Sequence, residues 1–481
     1  MGPDKGEGAV LNSGHTRYLT LDEAAGITGG KLRGTDMPLG PALRTDSRKV
    51  QNGDGFIALS GTNTDGHAFI DDAISRGASY IVVEENKAGS LLIESARDIS
   101  FLLVEDTPAA LRKLAAHVFR RKSSLREVIA VTGTVGKTTT RECISAVLKK
   151  RFRVHSARES YNTWIGCALT ILEMPLDTEI LILEMGTNHP GEIADMTASY
   201  PPTTAVITAI GPGHLEGLEN VRGVLEEKIR VLDSPRLKRL LYNGDSEILE
   251  KGLDATEKVF DRISAGFRKG TYRLKDMGFS LTGDIIKTRV GIIANGKSRR
   301  FTSLIFGPQH AYAFAYAVAM GDLFKIEDAQ MQDALEMLGA ISGRGTVRKT
   351  SRGIWCIDET YNANPLSMKQ ALENLARLPV TGKKYAVLGG MKELGRNSTF
   401  WHQDILRTVR NLDLEGVFLV GEEWKGTGKQ KKTVAPFLHY CSPDEVSRAL
   451  DAELSKDDAL LLKGSRAYGL EKILTEAGCL K

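Results

Sequence analysis

One short stretch of the chain carries residue types and spacing suited to phosphate chemistry. In Val128-Ile-Ala-Val-Thr-Gly-Thr-Val-Gly-Lys-Thr-Thr-Thr140 an apolar run leads into Gly133 and Gly136, then Lys137 and a run of threonines. Glycines let the backbone turn with successive N–H groups pointing inward, Lys137 adds a positive charge, and the Thr138 hydroxyl is a ligand for Mg2+. The stretch therefore predicts a polyphosphate cradle between a strand and a helix, formed by Gly133, Thr134, Val135, Gly136, Lys137, Thr138 and Thr139. The loop is a shortened variant, because the full Walker A spacing needs a glycine at 131, where Val131 stands. A plain glycine turn with a solvated lysine competes with this reading, but it leaves the apolar run before and the threonines after unexplained.

Two further apolar runs end in groups that suit the same chemistry. Ile180-Leu-Ile-Leu183 ends in Glu184, and Ala205-Val-Ile-Thr-Ala-Ile210 ends in Gly-Pro-Gly-His214. In a parallel sheet the carboxyl ends of all three strands share one edge, where ligands bind. A carboxylate directly after a buried strand is where nucleotide-hydrolysing folds hold Mg2+. Taken singly, Glu184 is also compatible with a helix cap and His214 with a turn histidine. Together with the phosphate loop they form a candidate ATP and metal constellation.

The elements that must position these groups follow from the length and the hydrophobic rhythm. A chain of 481 residues is too long for one core, and two or three domains are expected. Residues 17–123 read as a small α/β domain, with a helix starting at Leu21, strands at Gly55-Phe-Ile-Ala-Leu and Tyr80-Ile-Val-Val, and a helix ending between Ala73 and Gly77. Its polar loops, Thr45-Asp-Ser-Arg-Lys49 and Leu59 to His67, are compatible with simple turn chemistry. After a linker at Lys122-Ser-Ser-Leu, residues 124–340 alternate apolar runs with helical patterns, which predicts a mostly parallel sheet covered on both faces. Within them Thr271 to Phe306 reads as a β-hairpin insertion with turns at Gly283-Asp and Asn295-Gly, and Gly307 to Met320 as a buried, alanine-rich helix. Residues 341–481 repeat the rhythm with strands at Ile354–Ile357, Tyr385–Leu388, Val417–Val420 and Ala459–Leu462, a second doubly wound sheet. Its strand ends carry Asp358 to Pro365, Gly389-Gly-Met-Lys392, Gly421 and Lys463-Gly-Ser-Arg466, so two loaded edges predict a cleft between domains.

Composition narrows the function class. Hydrophobic content of 42%, charged content of 26% and a formal charge of +4 describe an ordinary globular protein without a polycation for nucleic acid. The 5 cysteines are scattered and lack Cys-x-x-Cys spacing, which argues against a disulfide framework and a zinc site. Residues 1–16 read as a polar, disordered lead with no apolar signal core. No apolar run is long enough for a membrane span, so a cytoplasmic protein without membrane insertion is expected.

At this point the motifs resemble those of the Mur ligases, ATP-dependent amide-forming enzymes of peptidoglycan precursor synthesis. The similarity runs from Asp46 to Glu471. Thr132 to Thr140, Glu184-Met-Gly-Thr-Asn-His-Pro-Gly-Glu192 and His214-Leu-Glu-Gly217 resemble the central-domain signature. Asp358-Glu-Thr-Tyr-Asn-Ala-Asn-Pro-Leu-Ser-Met368, Val387 to Gly395 and Lys463 to Ala467 resemble the C-terminal signature of the branch that adds D-alanyl-D-alanine to UDP-N-acetylmuramoyl-tripeptide. The resemblance implies an N-terminal UDP-sugar-binding domain, a central P-loop-type ATPase domain with a parallel sheet, and a C-terminal Rossmann-like α/β domain that closes over both. It implies ATP and two Mg2+ ions, an acyl phosphate formed on the tripeptide carboxylate, and attack on it by the dipeptide amine. A monomer is expected.

Residue by residue, the resemblance implies Lys137 at the transferring phosphoryl, and Thr138, Glu184, His214 and Lys228 as metal ligands, Lys228 after carbamylation by CO2. It implies Ser47 and Arg48 at the UDP portion, and Ser160, Asn162, Asn188 and His189 along the muramoyl-peptide channel. Arg344 and Asp358 would reach the nucleotide, and Asn362 and Asn364 the incoming dipeptide. Spacing alone favours a solvated helix lysine at Lys228. The chain departs from the family pattern at Ala311 and Phe314, where asparagines near the adenine are usual, and at Arg230, Gly390 and Glu359, where aspartate or another acidic residue is usual. Two alternatives stay open: a sister amide ligase with another acceptor, and a nucleotide-binding protein that has lost catalysis.

Overall fold

The computed structural model describes residues 19–476 apart from 41, 62–63, 90–98, 159, 340, 342, 428–436 and 441, with the side chains of 437–440 and 474–476 also outside the description. Among the described residues no helix is long and apolar enough to cross a membrane. The chain forms two compact units, one from residues 1–126 and 165–179, the other from 127–164 and 180–481.

The first unit is built on strands β1 (Lys31–Arg33), β2 (Leu43–Arg44), β3 (Gly55–Ile57), β4 (Tyr80–Glu84) and β5 (Ser100–Val104). Their order is β1-β5-β4-β3-β2, parallel except for the antiparallel β1 edge. The first helix, Leu21–Thr28, starts where a capping box predicts: Thr20 accepts from the Glu23 N–H, and Glu23 reaches back to the Thr20 N–H. Phe56, Ile70, Ile81, Val83 and Phe101 form the core. Part of the Leu59 to His67 loop lies outside the described residues.

The second unit holds two sheets. The larger comprises β6 (Glu127–Thr132), β7 (Val154–Ser156), β8 (Ile180–Glu184), β9 (Thr204–Ile207), β10 (Arg239–Asn243), β11 (Asp261–Gly266), β12 (Tyr272–Thr282), β13 (Ile285–Ala294) and β14 (Lys297–Ser303). They lie in the order β14-β13-β12-β11-β10-β9-β6-β8-β7. The β7 to β11 strands are parallel, and β6 sits between β8 and β9, so the strand order reverses beside the phosphate loop. The helices Lys137–Leu148 and Ala311–Leu323 pack on each other and on this sheet. Alternating alanines leave the second helix thin enough for close approach, and Ala313, Ala315, Ala317 and Ala319 are all buried in the shared core.

The Thr271–Phe306 segment is not a separate insertion. It forms a three-stranded antiparallel ribbon that continues the main sheet, because β12 pairs with β11 in parallel before turning back. Its turns fall at the expected sites, with positive φ at Gly283, Asn295 and Gly296.

The smaller sheet comprises β15 (Thr346–Lys349), β16 (Trp355–Glu359), β17 (Lys384–Gly389), β18 (Gly416–Val420), β19 (Phe437–Tyr440) and β20 (Ala459–Lys463), ordered β15-β16-β20-β17-β18-β19. Only β15 is antiparallel. Leu215, Leu218 and Phe306 share a core with Trp355, Met368, Leu372 and Leu394, so apolar burial joins the two sheets into one unit. Among the cysteines, Cys143 and Cys167 are buried free thiols, whereas Cys356 is disulfide-bonded, a partial correction to the expectation of none.

Candidate active site

The phosphate loop is shaped by close approach as much as by turn geometry. Gly133 has φ 138°, and a Cβ there would stand 2.1 Å from Thr208 Oγ1 and 3.0 Å from the Ala209 nitrogen. Gly136, at φ 83°, caps the helix Lys137–Leu148 in the left-handed conformation. The Lys137 Nζ donates to the Gly133 carbonyl at 2.8 Å, so the ammonium folds back over the loop it serves. Burial pushes this amine below the usual lysine range, opposed by the nearby Glu184 carboxylate.

Glu184 closes β8 and is 1% exposed. The Thr138 hydroxyl donates to Glu184 Oε2 at 2.9 Å, the Asn162 amide donates to Oε1 at 3.3 Å, and Arg141 lies 3.5 Å from Oε2. The Ser160 hydroxyl is 3.3 Å from that of Thr138 and accepts from the Arg344 guanidinium at 2.9 Å. One line of contacts therefore runs from the smaller sheet's entry turn through Ser160 and Thr138 to Glu184. The structure brings Thr138, Glu184, Asn162, Ser160 and Arg344 into one connected set of contacts, although the resemblance divides them between the nucleotide, metal and muramoyl-peptide groups.

His214 and Lys228 are placed differently from each other. His214, at φ 54°, lines the same cavity, and its Nδ1 is 2.7 Å from Glu393 Oε2, near enough for an ion pair but out of line for a hydrogen bond. Contact with this ring holds the Glu393 carboxyl below its usual range. Lys228 ends the helix Val221–Lys228, is fully buried, and among the described residues its Nζ has no hydrogen-bond partner. Burial first, then the charge of Lys137, pushes its amine well below the usual range. The solvated-lysine reading of Lys228 is thereby overturned. Its neighbour Glu227 accepts from the Gly191 and Ile193 N–H groups, and Arg230 pairs with Asp233 at 3.5 Å.

A cavity of about 450 Å³ opens between these groups and the carboxyl edge of the smaller sheet. Lys137, Glu184, His214, Arg344, Asn362 and Asn364 all line it, as do Lys392, Glu393, Glu359 and Lys463. Asp358 does not line it. Its carboxylate accepts from the Gly343 and Thr360 N–H groups and the Thr360 hydroxyl, which ties the 343–345 turn to β16. The next residue faces the cavity instead: Glu359 pairs with the buried Lys463 at 3.3 Å. Asn364 also accepts from the Ser367 N–H as the cap of the helix Pro365–Ala376, and Asn362 accepts from the Ala363 N–H.

Asn188 and His189 are exposed and do not line the cavity; their N–H groups donate to Glu192. In the first unit, Ser47 is buried, and Arg48 is exposed with its guanidinium 2.9 Å from Asp46.

The cavity is also lined by His310 and by Asn243, Ser246, Gln309, Tyr312 and Ala313, the last five of which sequence reasoning did not single out. Asn243 ends the apolar strand β10 and was detectable by the rule that identified Glu184. Ala311 and Phe314 lie in the helix core instead, with no exposure. Among the described residues no three His, Cys, Asp or Glu side chains gather to hold a metal. Thr138 and Glu184 supply oxygen atoms of the kind that could hold a divalent ion.

Comparison with known proteins agrees with this arrangement. Residues 42–119 match the Mur ligase family catalytic domain, 131–321 the Mur ligase middle domain, and 343–466 the Mur ligase glutamate ligase domain. The UDP-N-acetylmuramoyl-tripeptide–D-alanyl-D-alanine ligase of Bacillus subtilis (strain 168) is 31% identical over 443 residues, covering 90% of this chain and 92% of that protein. The crystal structure of MurF ligase from Thermotoga maritima in complex with ADP superposes with a TM-score of 0.75 at 29% identity, covering 91% of this chain and 97% of that one. MurF from Acinetobacter baumannii shares the fold with a TM-score of 0.79 at 23% identity, over 96% and 99% of the two chains.

Proposed function

The chain belongs to the Mur ligase family, and on that premise we propose that it joins D-alanyl-D-alanine to UDP-N-acetylmuramoyl-tripeptide at the expense of ATP, in the cytoplasm, through an acyl phosphate. The observation that carries this reading is the Thr138–Glu184 pair beside a strained glycine loop, facing a cavity whose opposite wall comes from the smaller sheet. The domains we assign are 17–123 for the UDP-sugar, 124–340 for ATP and 341–481 for the acceptor.

In the first step the terminal carboxylate of the tripeptide attacks the γ-phosphorus of ATP and ADP leaves. Negative charge on the transferred group is met by Lys137, by the loop N–H groups and by Arg344, all fixed before the reaction. Thr138 and Glu184 are the residues that would hold Mg2+, which supplies charge neutralisation on the phosphate oxygens. In the second step the dipeptide amine attacks the acyl carbon, the C–N bond forms, and phosphate leaves. Glu359 and Asn243, Ser246, Gln309 and Tyr312, which line the cavity, would meet the ribose and base where the chain lacks asparagines at 311 and 314.

Lys228 fits carbamylation on one observation: its amine is buried and has no hydrogen-bond partner among the described residues, and burial disfavours its charged form, so the lone pair that attacks CO2 is easier to free. The N–C bond forms, one proton leaves, and a neutral group becomes an anion suited to a second Mg2+ with His214. The test of the proposed activity is phosphate release from Mg-ATP with UDP-N-acetylmuramoyl-tripeptide. Release that requires the dipeptide, with product heavier by that dipeptide, is expected; release without it, or with another amine in preference, would overturn the assignment.

A further inference from the structure

We propose that Arg466 anchors the free carboxylate of the incoming amine acceptor, an inference that rests on the ligase reading above. The lysines and the arginine that line the cavity are committed. Lys137 lies on its loop carbonyl, Arg344 donates to Ser160, Lys463 pairs with Glu359 and donates to the Asn362 carbonyl at 3.0 Å, and Lys392 pairs with Glu423. Arg466 is exposed at the end of β20, and among the described residues no carboxylate or carbonyl receives its guanidinium. Its recorded contact is with the face of Tyr361, 5.4 Å from the ring centroid.

That contact leaves the recognising edge free. The N–H groups of a guanidinium all lie in its plane, so a guanidinium held against an aromatic ring still offers its fork to a carboxylate. Tyr361 lines the cavity and carries a second guanidinium, Arg344, at 4.0 Å. One ring thus positions two arginines, one directed to Ser160 beside the phosphate loop and the other left for the acceptor.

The supporting backbone is fixed. The Ser465 N–H donates to the Gly390 carbonyl at 3.2 Å, the Ser465 hydroxyl accepts from the Lys392 N–H at 3.0 Å, and the Gly469 N–H donates to the Arg466 carbonyl at 3.1 Å. Tyr361 is tied by its own N–H to the Gly343 carbonyl at 3.1 Å. Arg466 is not itself part of the cavity lining, but it lies against Tyr361, which is, and a dipeptide whose amine must reach the acyl carbon needs its negative end held aside by such an uncommitted cation. The proposal makes Arg466 a determinant of specificity for acceptors with a free carboxylate.

The experiment compares D-alanyl-D-alanine with its C-terminal amide as acceptor, for the wild type and for R466A and R466K, with ATP and UDP-N-acetylmuramoyl-tripeptide saturating. Charge-assisted hydrogen bonds of this kind predict that the wild type favours the acid in kcat/KM by about 10- to 100-fold. R466A should raise KM for the acid by a similar factor, treat acid and amide alike, and keep its KM for ATP, while R466K keeps part of the preference. Retained preference for the acid in R466A would overturn the inference and leave the ligase reading intact. A wild type that joins neither acceptor would overturn both.

Discussion

Lys137, Thr138 and Glu184 form the part of the site where single side chains carry the chemistry, and Lys137 makes the most direct prediction. Lys137→Ala removes the charge that meets the transferring phosphoryl and should lower kcat by about 10²-fold or more, as loss of one preorganised electrostatic donor does. An unchanged kcat in the phosphate-release assay would contradict that role. Lys228 should give a carbamate carbon resonance in protein equilibrated with labelled bicarbonate, absent in Lys228→Met, and that variant should lose most activity. His310 predicts a pH effect on stability. Burial, with Arg344 beside it, pushes its imidazole down to about 4 from an ordinary 6.5. The unfolded chain therefore binds the extra proton between about pH 6.5 and pH 4, so this contribution is complete above pH 6.5 and falls away as pH drops through that window. Its full size is on the order of 3 kcal/mol, and His310→Gln should flatten the acid limb of the unfolding curve. The phosphate-loop residues were legible because their spacing along the chain sets their geometry. Asp358 and Glu359 were not told apart because neighbours on a strand face opposite ways, and only the fold reveals which face is the cavity. Asn243, by contrast, was within reach of the strand-end rule that identified Glu184, and β10 lying beside β9 brings it to the same sheet edge.

The elements are positioned by bonds that also hold the site. β9 was expected to run to Ile210 but ends at Ile207; the Thr208 N–H still donates to the Thr132 carbonyl at 3.0 Å, and its hydroxyl donates to the Val135 carbonyl at 2.6 Å, bracing the phosphate loop. The helix Glu192–Ser199 depends on Glu227, a residue 5% exposed that accepts two of its first N–H groups. Glu227→Gln removes the negative charge from the helix N-terminus and one acceptor, and should cost about 1–2 kcal/mol in denaturant unfolding. No change in midpoint would show that the cap is dispensable. The same substitution bears on Lys228, whose neighbour it is. Helices and strands of the parallel sheets were legible from long apolar periodicity. The antiparallel ribbon β12 to β14 was legible as turns and strands but not as a continuation of the main sheet, since alternating patterns do not encode which edge a strand joins.

Across the whole molecule, composition correctly pointed to a globular protein with several cores, and the three matched family domains follow the three sheets. The cleft between the larger and smaller sheets was foreseen from two edges loaded with polar residues, whereas the apolar core that Leu215 and Leu218 share with the smaller sheet was not. Because nucleotide binds this folded unit and not the unfolded chain, Mg-ADP at 100 times its Kd should stabilise the second unit by about 2.7 kcal/mol. Calorimetry that shows no shift with Mg-ADP would contradict nucleotide binding there, and a chelator should remove most of the effect. The central claim is that the tripeptide carboxylate becomes an acyl phosphate before the amide forms. It is tested most directly by labelling that carboxylate with a heavy oxygen isotope and analysing the released phosphate by mass spectrometry. One labelled oxygen in each phosphate is the predicted result, and phosphate free of label would contradict the account.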